Sequence, residues 1–431
     1  MFWNPSIERM PVADLKEIQE KKLRALVNNV YQYSPFYRRK FKELGIDPSQ
    51  IRSLEDLPKL PFTRKQDLRD NYPFGMFAVP VSQIVRFHAS SGTTGKPTLV
   101  GYTENDIRVW VESLCRGLVS CGVTHEDIVQ IAYGYGLFTG GLGFHYAVEK
   151  IGATALPIST GNTARQIELM KDLGVTVIAC TPSYMLYMSE YAEKMGTSLK
   201  DTKLRIGIFG AEPWSEETRK RIELKTGLTA YDVYGTSELS GPLFTECVER
   251  NGLHVWADHF LIEAIDPKTG ENVGEGEKGE LVVTTLSKEA MPLIRWRTGD
   301  ITIIETEKCN CGRTHPRIMR ILGRSDDMLI VRGVNVFPSQ IEHVLMQIPE
   351  LGEHYMIILD RVENLDEMTI QVELSERVSV DKPADILNLK KRVEEKLKSV
   401  LGVHAKVEIV NPGTLQRFEG KAKRVIDKRK I

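Results

Sequence analysis

Three short β-branched runs, at 127–132, 175–180 and 206–209, alternate with stretches of helical periodicity such as 105–120. Each run is too short for a helix, and its apolar residues are largely continuous, so each reads as a buried strand. Strands joined by helix-length connections pair in parallel, which predicts an α/β domain on a largely parallel sheet. Ahead of it, Leu15, Ile18, Leu23, Leu26, Val27 and Val30 recur at helical spacing and predict an entry helix that Tyr33-Ser34-Pro35-Phe36-Tyr37 stops. Beyond about 260 the pattern turns strand-like, at 260–265, 279–285 and 300–304, with turn signals such as Pro267-Lys268-Thr269-Gly270 between the strands. These readings give an N-terminal domain over 1–324 with a β-rich subdomain at about 245–322. The charged step Gly323-Arg324-Ser325-Asp326-Asp327 marks its end. Strands near 355–359, 368–374 and 406–410 and a helix at 386–400 then predict a small α+β C-terminal lobe over 325–431.

At 431 residues the chain is large enough to bury about three quarters of its unfolded surface without disulfides. Fifty-seven Lys and Arg balance fifty-eight Asp and Glu, which argues against a nucleic-acid or membrane-surface binder needing a cationic excess. Glu8 and Arg9 interrupt the start before any apolar run, and no stretch approaches eighteen apolar residues, so the expected compartment is the cytoplasm. Six cysteines in so long a chain make no disulfide framework. Cys115, Cys121 and Cys180 read as core thiols.

The segment 88–98, His-Ala-Ser-Ser-Gly-Thr-Thr-Gly-Lys-Pro-Thr, follows a predicted strand at 84–87. Gly92 and Gly95 allow close backbone approach to an anion, and Ser90, Ser91, Thr93 and Thr94 add hydroxyl donors beside the Lys96 ammonium. Polyphosphate suits such a loop. It is not a P-loop NTPase motif, because only two residues separate the glycines and Pro97 follows the lysine.

This loop resembles the phosphate loop of the adenylate-forming superfamily of acyl-CoA synthetases, luciferases and peptide-synthetase adenylation domains. Four further segments follow in that superfamily's order: Tyr234-Gly235-Thr236-Ser237-Glu238, Thr298-Gly299-Asp300, Gly323-Arg324-Ser325-Asp326-Asp327 and Gly420-Lys421. Within it the chain is most similar to phenylacetate-CoA ligases, through Tyr133-Gly134-Tyr135-Gly136-Leu137-Phe138-Thr139-Gly140-Gly141, Gly210-Ala211-Glu212-Pro213-Trp214 and Arg332-Gly333-Val334-Asn335-Val336-Phe337-Pro338.

The resemblance implies a large N-terminal body, a small mobile C-terminal lobe, and ligation of an aryl acid to coenzyme A through an aryl-adenylate made from ATP. It assigns Lys421 to bridge the acid and the α-phosphate, Glu238 to hold magnesium, and Lys96 to the phosphates. Asp300 is expected to accept from the ribose hydroxyls, and Tyr234 to face adenine. Glu212, Asp232, Gly235 and Thr236 complete the nucleotide pocket, Arg324 approaches the ribose, and Asp326 is the hinge. Tyr135, Phe138, Thr139, Gly140, Gly141 and Ala211 are expected to form the acid pocket, where rings beside glycines leave a flat slot for an aryl group. Arg332, Gly333 and Asn335 are expected to swing in for the thiol step as Lys421 swings out. The remaining basic tail, Arg424 and Arg429 included, reads as solvated surface. Another acid such as indoleacetate, a carrier-protein thiol, or a silent nucleotide-binding scaffold stay open as alternatives. The partners implied are small molecules, and a homodimer follows only by analogy with the family.

Cys309-Asn310-Cys311 places two thiols one residue apart. Cys247 and His254 could complete a four-ligand structural zinc site, with His259 or His315 as replacements for His254. Some members of the resembled family carry zinc there.

Overall fold

The computed structural model describes residues 1–90, 98–325, 329–332, 334–362, 365–376, 383–418 and 422–429. An entry helix, Val12–Tyr33, buries Leu15, Leu23, Leu26, Val27 and Val30 and ends where Ser34-Pro35 starts the next helix, Pro35–Leu44. An antiparallel hairpin follows, β1 (Arg86–Ser90) against β2 (Thr98–Tyr102). The strand expected at 84–87 therefore lies further along, because 81–83 form a single helical turn. The phosphate-type segment connects two antiparallel strands.

The parallel core forms where the apolar runs are. Strands β3 (Ile128–Ile131), β4 (Thr154–Leu156), β5 (Val177–Cys180), β6 (Ile206–Gly210) and β7 (Thr229–Thr236) run parallel in the order β4-β3-β5-β6-β7. Val177 to Cys180 and Ile206 to Gly210 are buried throughout, as continuous apolar runs covered by helices on both faces require. Beyond β7 the direction alternates through β8 (Gly241–Thr245), β9 (Leu253–His254), β10 (Phe260–Ile265), β11 (Lys278–Thr285), β12 (Trp296–Glu305), β13 (Arg317–Ile318) and β14 (Gly323–Arg324). The pairings Thr245↔His254 and His254↔Arg317 join the β-rich region to the parallel strands as the antiparallel continuation of one twelve-stranded sheet. Strand β12 extends past the expected 300–304 because its first half, Trp-Arg-Thr-Gly, alternates buried and half-buried residues and carries no apolar run.

A second core begins at β15 (Leu329–Val331), which pairs with β16 (Val334–Val336). A four-stranded sheet follows, of β17 (Leu351–Val362), β18 (Leu365–Leu374), β19 (Lys406–Val410) and β20 (Val425–Asp427) in the order β19-β18-β17-β20. Helices Pro338–Met346 and Pro383–Leu401 close its apolar side through Ile341, Leu345, Val393 and Leu397. Among the described residues no helix is long and apolar enough to cross a membrane.

Candidate functional site

The β1/β2 register runs to Ser90↔Thr98, the residues on either side of 91–97. Ser91, Gly92, Thr93, Thr94, Gly95 and Lys96 lie outside the described residues, as do Asp326, Gly333 and Lys421; the backbone alone is described for Ser90 and Asn335. The hairpin is tied to the 134–141 loop by Leu137. Its carbonyl accepts from the Ala89 N–H at 3.0 Å and lies 3.1 Å from His88 Nδ1. Burial pulls the His88 pKa below the ordinary imidazole value, and its Nε2 is enclosed with no hydrogen-bond partner among the described residues.

In that loop the rings lie differently from the expectation. Gly140 and Gly141 open the helix Gly140–Ile151. A side chain at Gly140 would meet Phe138 Cε1 at 2.4 Å, and one at Gly141 would meet the Gly134 carbonyl at 2.8 Å and Tyr135 Cδ2 at 3.0 Å. The glycines therefore leave room for the protein's own rings. Tyr135 is half-buried with its hydroxyl 3.5 Å from His145 Nδ1, and Phe138 is 42% exposed. Thr139 is buried, its hydroxyl 3.5 Å from Ser237 Oγ. Ala211 is exposed at the end of β6 with φ of +70°. A Cβ-bearing residue in that region stores backbone strain, which collects at functional sites.

Glu238 sits in a helical turn, Ser237–Leu239, packed against β1 and β2. Tyr102 donates to the Ser237 carbonyl at 3.1 Å and Lys288 Nζ to the Glu238 carbonyl at 2.7 Å. Burial lowers the Lys288 pKa to about 8, while Asp106 and Glu238 pull it back up. Lys288 carried no motif signal, since in sequence it is one charged residue in a Ser-Lys-Glu turn.

Tyr234 and Asp300 are joined: the Tyr234 hydroxyl donates to Asp300 Oδ2 at 2.6 Å, and Arg324 Nη1 pairs with Oδ1 at 2.9 Å. Strand pairing sets Arg324 opposite Asp300. The Tyr234 ring stacks on Phe244 at 6.0 Å. Gly235 is required for packing, because a Cβ there would fall 1.6 Å from the Gly241 carbonyl. The adjoining Thr236 Oγ1 is buried with no hydrogen-bond partner among the described residues.

Asp232 and Glu212, expected in the nucleotide pocket, are otherwise engaged. Asp232 accepts from Trp214 Nε1 at 2.9 Å. The oxygens of Glu212 accept from the backbone N–H of Ser183 at 2.8 Å and of Ala422 at 3.2 Å, and burial pushes its pKa up. Ala422 follows Lys421 directly. Arg424 is not solvated as expected: it lies 4.2 Å from the Tyr355 ring centroid, with Glu342 and Glu212 in its field. Arg429 pairs with Asp366 and Asp427 at 3.1 and 2.7 Å. Arg332, with φ of +51°, is exposed in the β15/β16 turn and donates to the Asp366 carbonyl at 2.9 Å.

Cys247, His254, Cys309 and Cys311 converge, with ligand atoms within 4.8 Å of one another. Cys247 and Cys309 are 3.8 Å apart, and Cys311 Sγ is 3.5 Å from His254 Nε2. A hydrogen bond from Cys247, helped by His254, holds the Cys311 thiol far below its ordinary pKa. The replacement histidines are occupied: His259 Nδ1 by Ser287 at 2.8 Å, and His315 by the Ala257 N–H and the Ile7 carbonyl, both at 2.9 Å. Arg313 links the cluster to the N-terminus, 3.5 Å from Cys311 Sγ and in a buried pair with Glu8 at 2.7 Å.

The chain matches the family described as AMP-binding enzyme over residues 77–287 and the AMP-binding enzyme C-terminal domain over 333–429. A phenylacetate-coenzyme A ligase of Thermus thermophilus is 48% identical, with 100% of both chains covered. A 2-hydroxyisobutyryl-CoA ligase solved in the postadenylation state with 2-HIB-AMP superposes with a TM-score of 0.94 at 32% identity, covering 99% of this chain and 92% of that one. The same ligase in its thioesterification state, with 2-HIB-AMP and CoA, superposes at only 0.74 with the same identity and coverage. Equal sequence and unequal fit mean that the arrangement of the parts differs, and this chain is arranged as in the postadenylation structure.

Proposed function

The chain belongs to the phenylacetate-coenzyme A ligase family of AMP-binding enzymes, and from that premise we propose that it joins phenylacetate or a close aryl acid to coenzyme A. It is an acid–thiol ligase working through an adenylate. In the first half-reaction a carboxylate oxygen of the acid attacks the α-phosphorus of ATP, the bond to the β-phosphate oxygen breaks, and pyrophosphate leaves. In the second the CoA sulfur, losing its proton, attacks the acyl carbonyl and AMP leaves.

Bringing two anions together needs charge neutralisation and fixed orientation more than acid–base chemistry. We assign Lys421 and Lys96 to the cationic side. Thr236, whose hydroxyl is buried and unbonded among the described residues, is left to donate to the nucleotide. Tyr234 and Asp300 take the nucleoside: the hydrogen bond between them joins the ring and the carboxylate, and Arg324 pairs with the other carboxylate oxygen. The outer faces of Tyr135 and Phe138 receive the aryl ring. Glu238, on a turn packed against the phosphate hairpin, offers the hard oxygen donor that magnesium requires, and the ion would supply charge neutralisation at the phosphates. Three thiols and an imidazole fit tetrahedral zinc, with every position filled by protein and hence a structural role. Residues 325–431 are assigned as the moving lobe, with Asp326 as hinge and Arg332, Gly333 and Asn335 on its thiol-step face. The reading places the enzyme in the cytoplasm, and family analogy makes a homodimer the expected assembly.

The observation that carries this reading is the Tyr234–Asp300–Arg324 linkage, four residues along the chain from the Glu238 turn that packs against β1 and β2. AMP release across a panel of acids, with and without CoA, tests it. Phenylacetate and ring-substituted analogues should give thioester and AMP; no acid-dependent pyrophosphate exchange with any aryl acid would overturn it.

A further inference from the structure

Body and lobe meet through reciprocal contacts at helix ends. The body helix Glu216–Thr226 points its N-terminus at the lobe. Glu342, on the lobe helix Pro338–Met346, accepts there from the Ser215 N–H at 3.2 Å and the Thr218 hydroxyl at 2.7 Å. Free amides and the positive end of the helix dipole favour a carboxylate at that point. In return Arg221, on the same body helix, donates to the carbonyls of Met346 at 2.8 Å, Ile348 at 3.2 Å and Leu351 at 3.3 Å, at and beyond the C-terminal end of the lobe helix, where a cation is favoured. A further contact runs from the body residue Glu212 to the Ala422 N–H, as described above. Arg424 stands between the two carboxylates, on the ring of Tyr355, whose hydroxyl donates to Glu342 at 3.2 Å.

We propose that Glu212 and Glu342 are the two halves of a latch that fixes the chain beside Lys421 for adenylation and must open before thioester formation. The inference rests on the assignment of Lys421 to the first half-reaction. Ala422 is the next residue, one Cα step of about 3.8 Å away, and Arg424 follows two residues later, so this stretch is gripped on both sides of its backbone. Neither carboxylate touches a reacting atom, so both are positioning residues. Rotation of the lobe separates Glu212 from Ala422 and Glu342 from Ser215 and Thr218 together. The released groups can hydrate, which keeps the latch reversible: each bond exchanges for one to water with a small net change. The lobe arrangement shared with the postadenylation structure is the latched one.

The test uses full-length wild type, Glu212→Gln, Glu342→Gln and Lys421→Ala, with melting temperatures to confirm folding. Acid-dependent ATP–pyrophosphate exchange and conversion of supplied phenylacetyl-adenylate plus CoA to thioester are measured separately. For each glutamine variant, kcat for exchange should fall about tenfold or more with KM for ATP within about threefold, while thioester formation stays near wild type. Equal loss of both half-reactions, unchanged exchange, or a raised KM for ATP with unchanged kcat would overturn the latch. If wild type shows no exchange with any aryl acid, the substrate reading fails on its own. Small-angle scattering then decides the latch without turnover: a larger radius of gyration in both variants supports it, and profiles identical to wild type overturn it.

Discussion

Tyr234 donates its hydroxyl to Asp300 at 2.6 Å across the gap between β7 and β12. A ring face and a carboxylate are thereby held as one unit, with Arg324 on the other carboxylate oxygen. Burial, with the Asp300 charge beside it, raises the Tyr234 pKa far above the ordinary phenol, so the hydroxyl stays a donor at every working pH. Tyr234→Phe keeps the ring and removes the link. The expected outcome is a KM for ATP raised about tenfold or more with kcat within about twofold, since a lost neutral-to-charged hydrogen bond is worth about 1.5–3 kcal/mol. Steady-state kinetics with ATP as the varied substrate check it. A fall in kcat at unchanged KM would show that the pair acts on the reacting phosphate.

The extent of this site legible in sequence follows from what kind of signal each part leaves. Strands β5 and β6 were readable because burial on both faces demands continuous apolar residues. Gly140 and Gly141 announced a close approach, but not whose atoms come close, and these proved to be the loop's own rings. Glu212 looked like a pocket residue from its neighbours in sequence, while the partner that engages it, Ala422, lies 210 positions away. Glu342, Lys288 and Arg424 left no trace, because a charged residue on a helix, turn or tail reads as solvated until a second element covers it. The Cys-Asn-Cys pair was legible as a chelate with Cys247 and His254, and the structure brings those four together while His315 is bonded elsewhere.

Gly141→Ala tests the packing account of the acid pocket. A Cβ there would lie 2.8 Å from the Gly134 carbonyl and 3.0 Å from the Tyr135 ring, so the ring must move outward into the substrate's place. KM for phenylacetate should rise about tenfold or more and the fold should lose about 1–3 kcal/mol, with KM for ATP unchanged. A wild-type KM for the acid would remove Tyr135 from the pocket.

The Cys/His cluster should hold about one equivalent of zinc in protein purified without added metal; less than about a tenth counts against the site. Cys311→Ser should lose the metal and lower the melting temperature. It should also expose the N-terminal ten or so residues to protease, because Arg313 joins Cys311 to Glu8 and the Met1 carbonyl. Aryl-adenylate formation at permissive temperature should survive, since an ion with every position filled by protein takes no part in the chemistry. Loss of turnover in a folded, metal-free variant would contradict a structural role.

Glu353 gives the body–lobe contact a pH dependence. Burial pushes its carboxyl up to about 7 from an ordinary 4.5, Glu190 adds to the rise, and Lys225 and Arg221 pull it back. Its neighbour His354 is held down to about 4 by burial with Arg417 beside it. A carboxyl whose folded pKa is raised stabilises fully below the unfolded value, and that stability is lost as pH rises from about 4.5 through 7. The full loss is on the order of 3 kcal/mol. His354 runs the other way, opposing folding as pH falls below its ordinary 6.5, so the wild-type profile alone mixes the two. The difference between Glu353→Gln and wild type isolates the first, because the amide stands in for the protonated acid throughout. Denaturant melts from pH 5 to 8 should show the variant at or slightly below wild-type stability at pH 5, then gaining about 2–3 kcal/mol on it by pH 8. A difference that stays flat over this range would mean that Glu353 remains ionised in the folded protein, held by Lys225 at 3.2 Å.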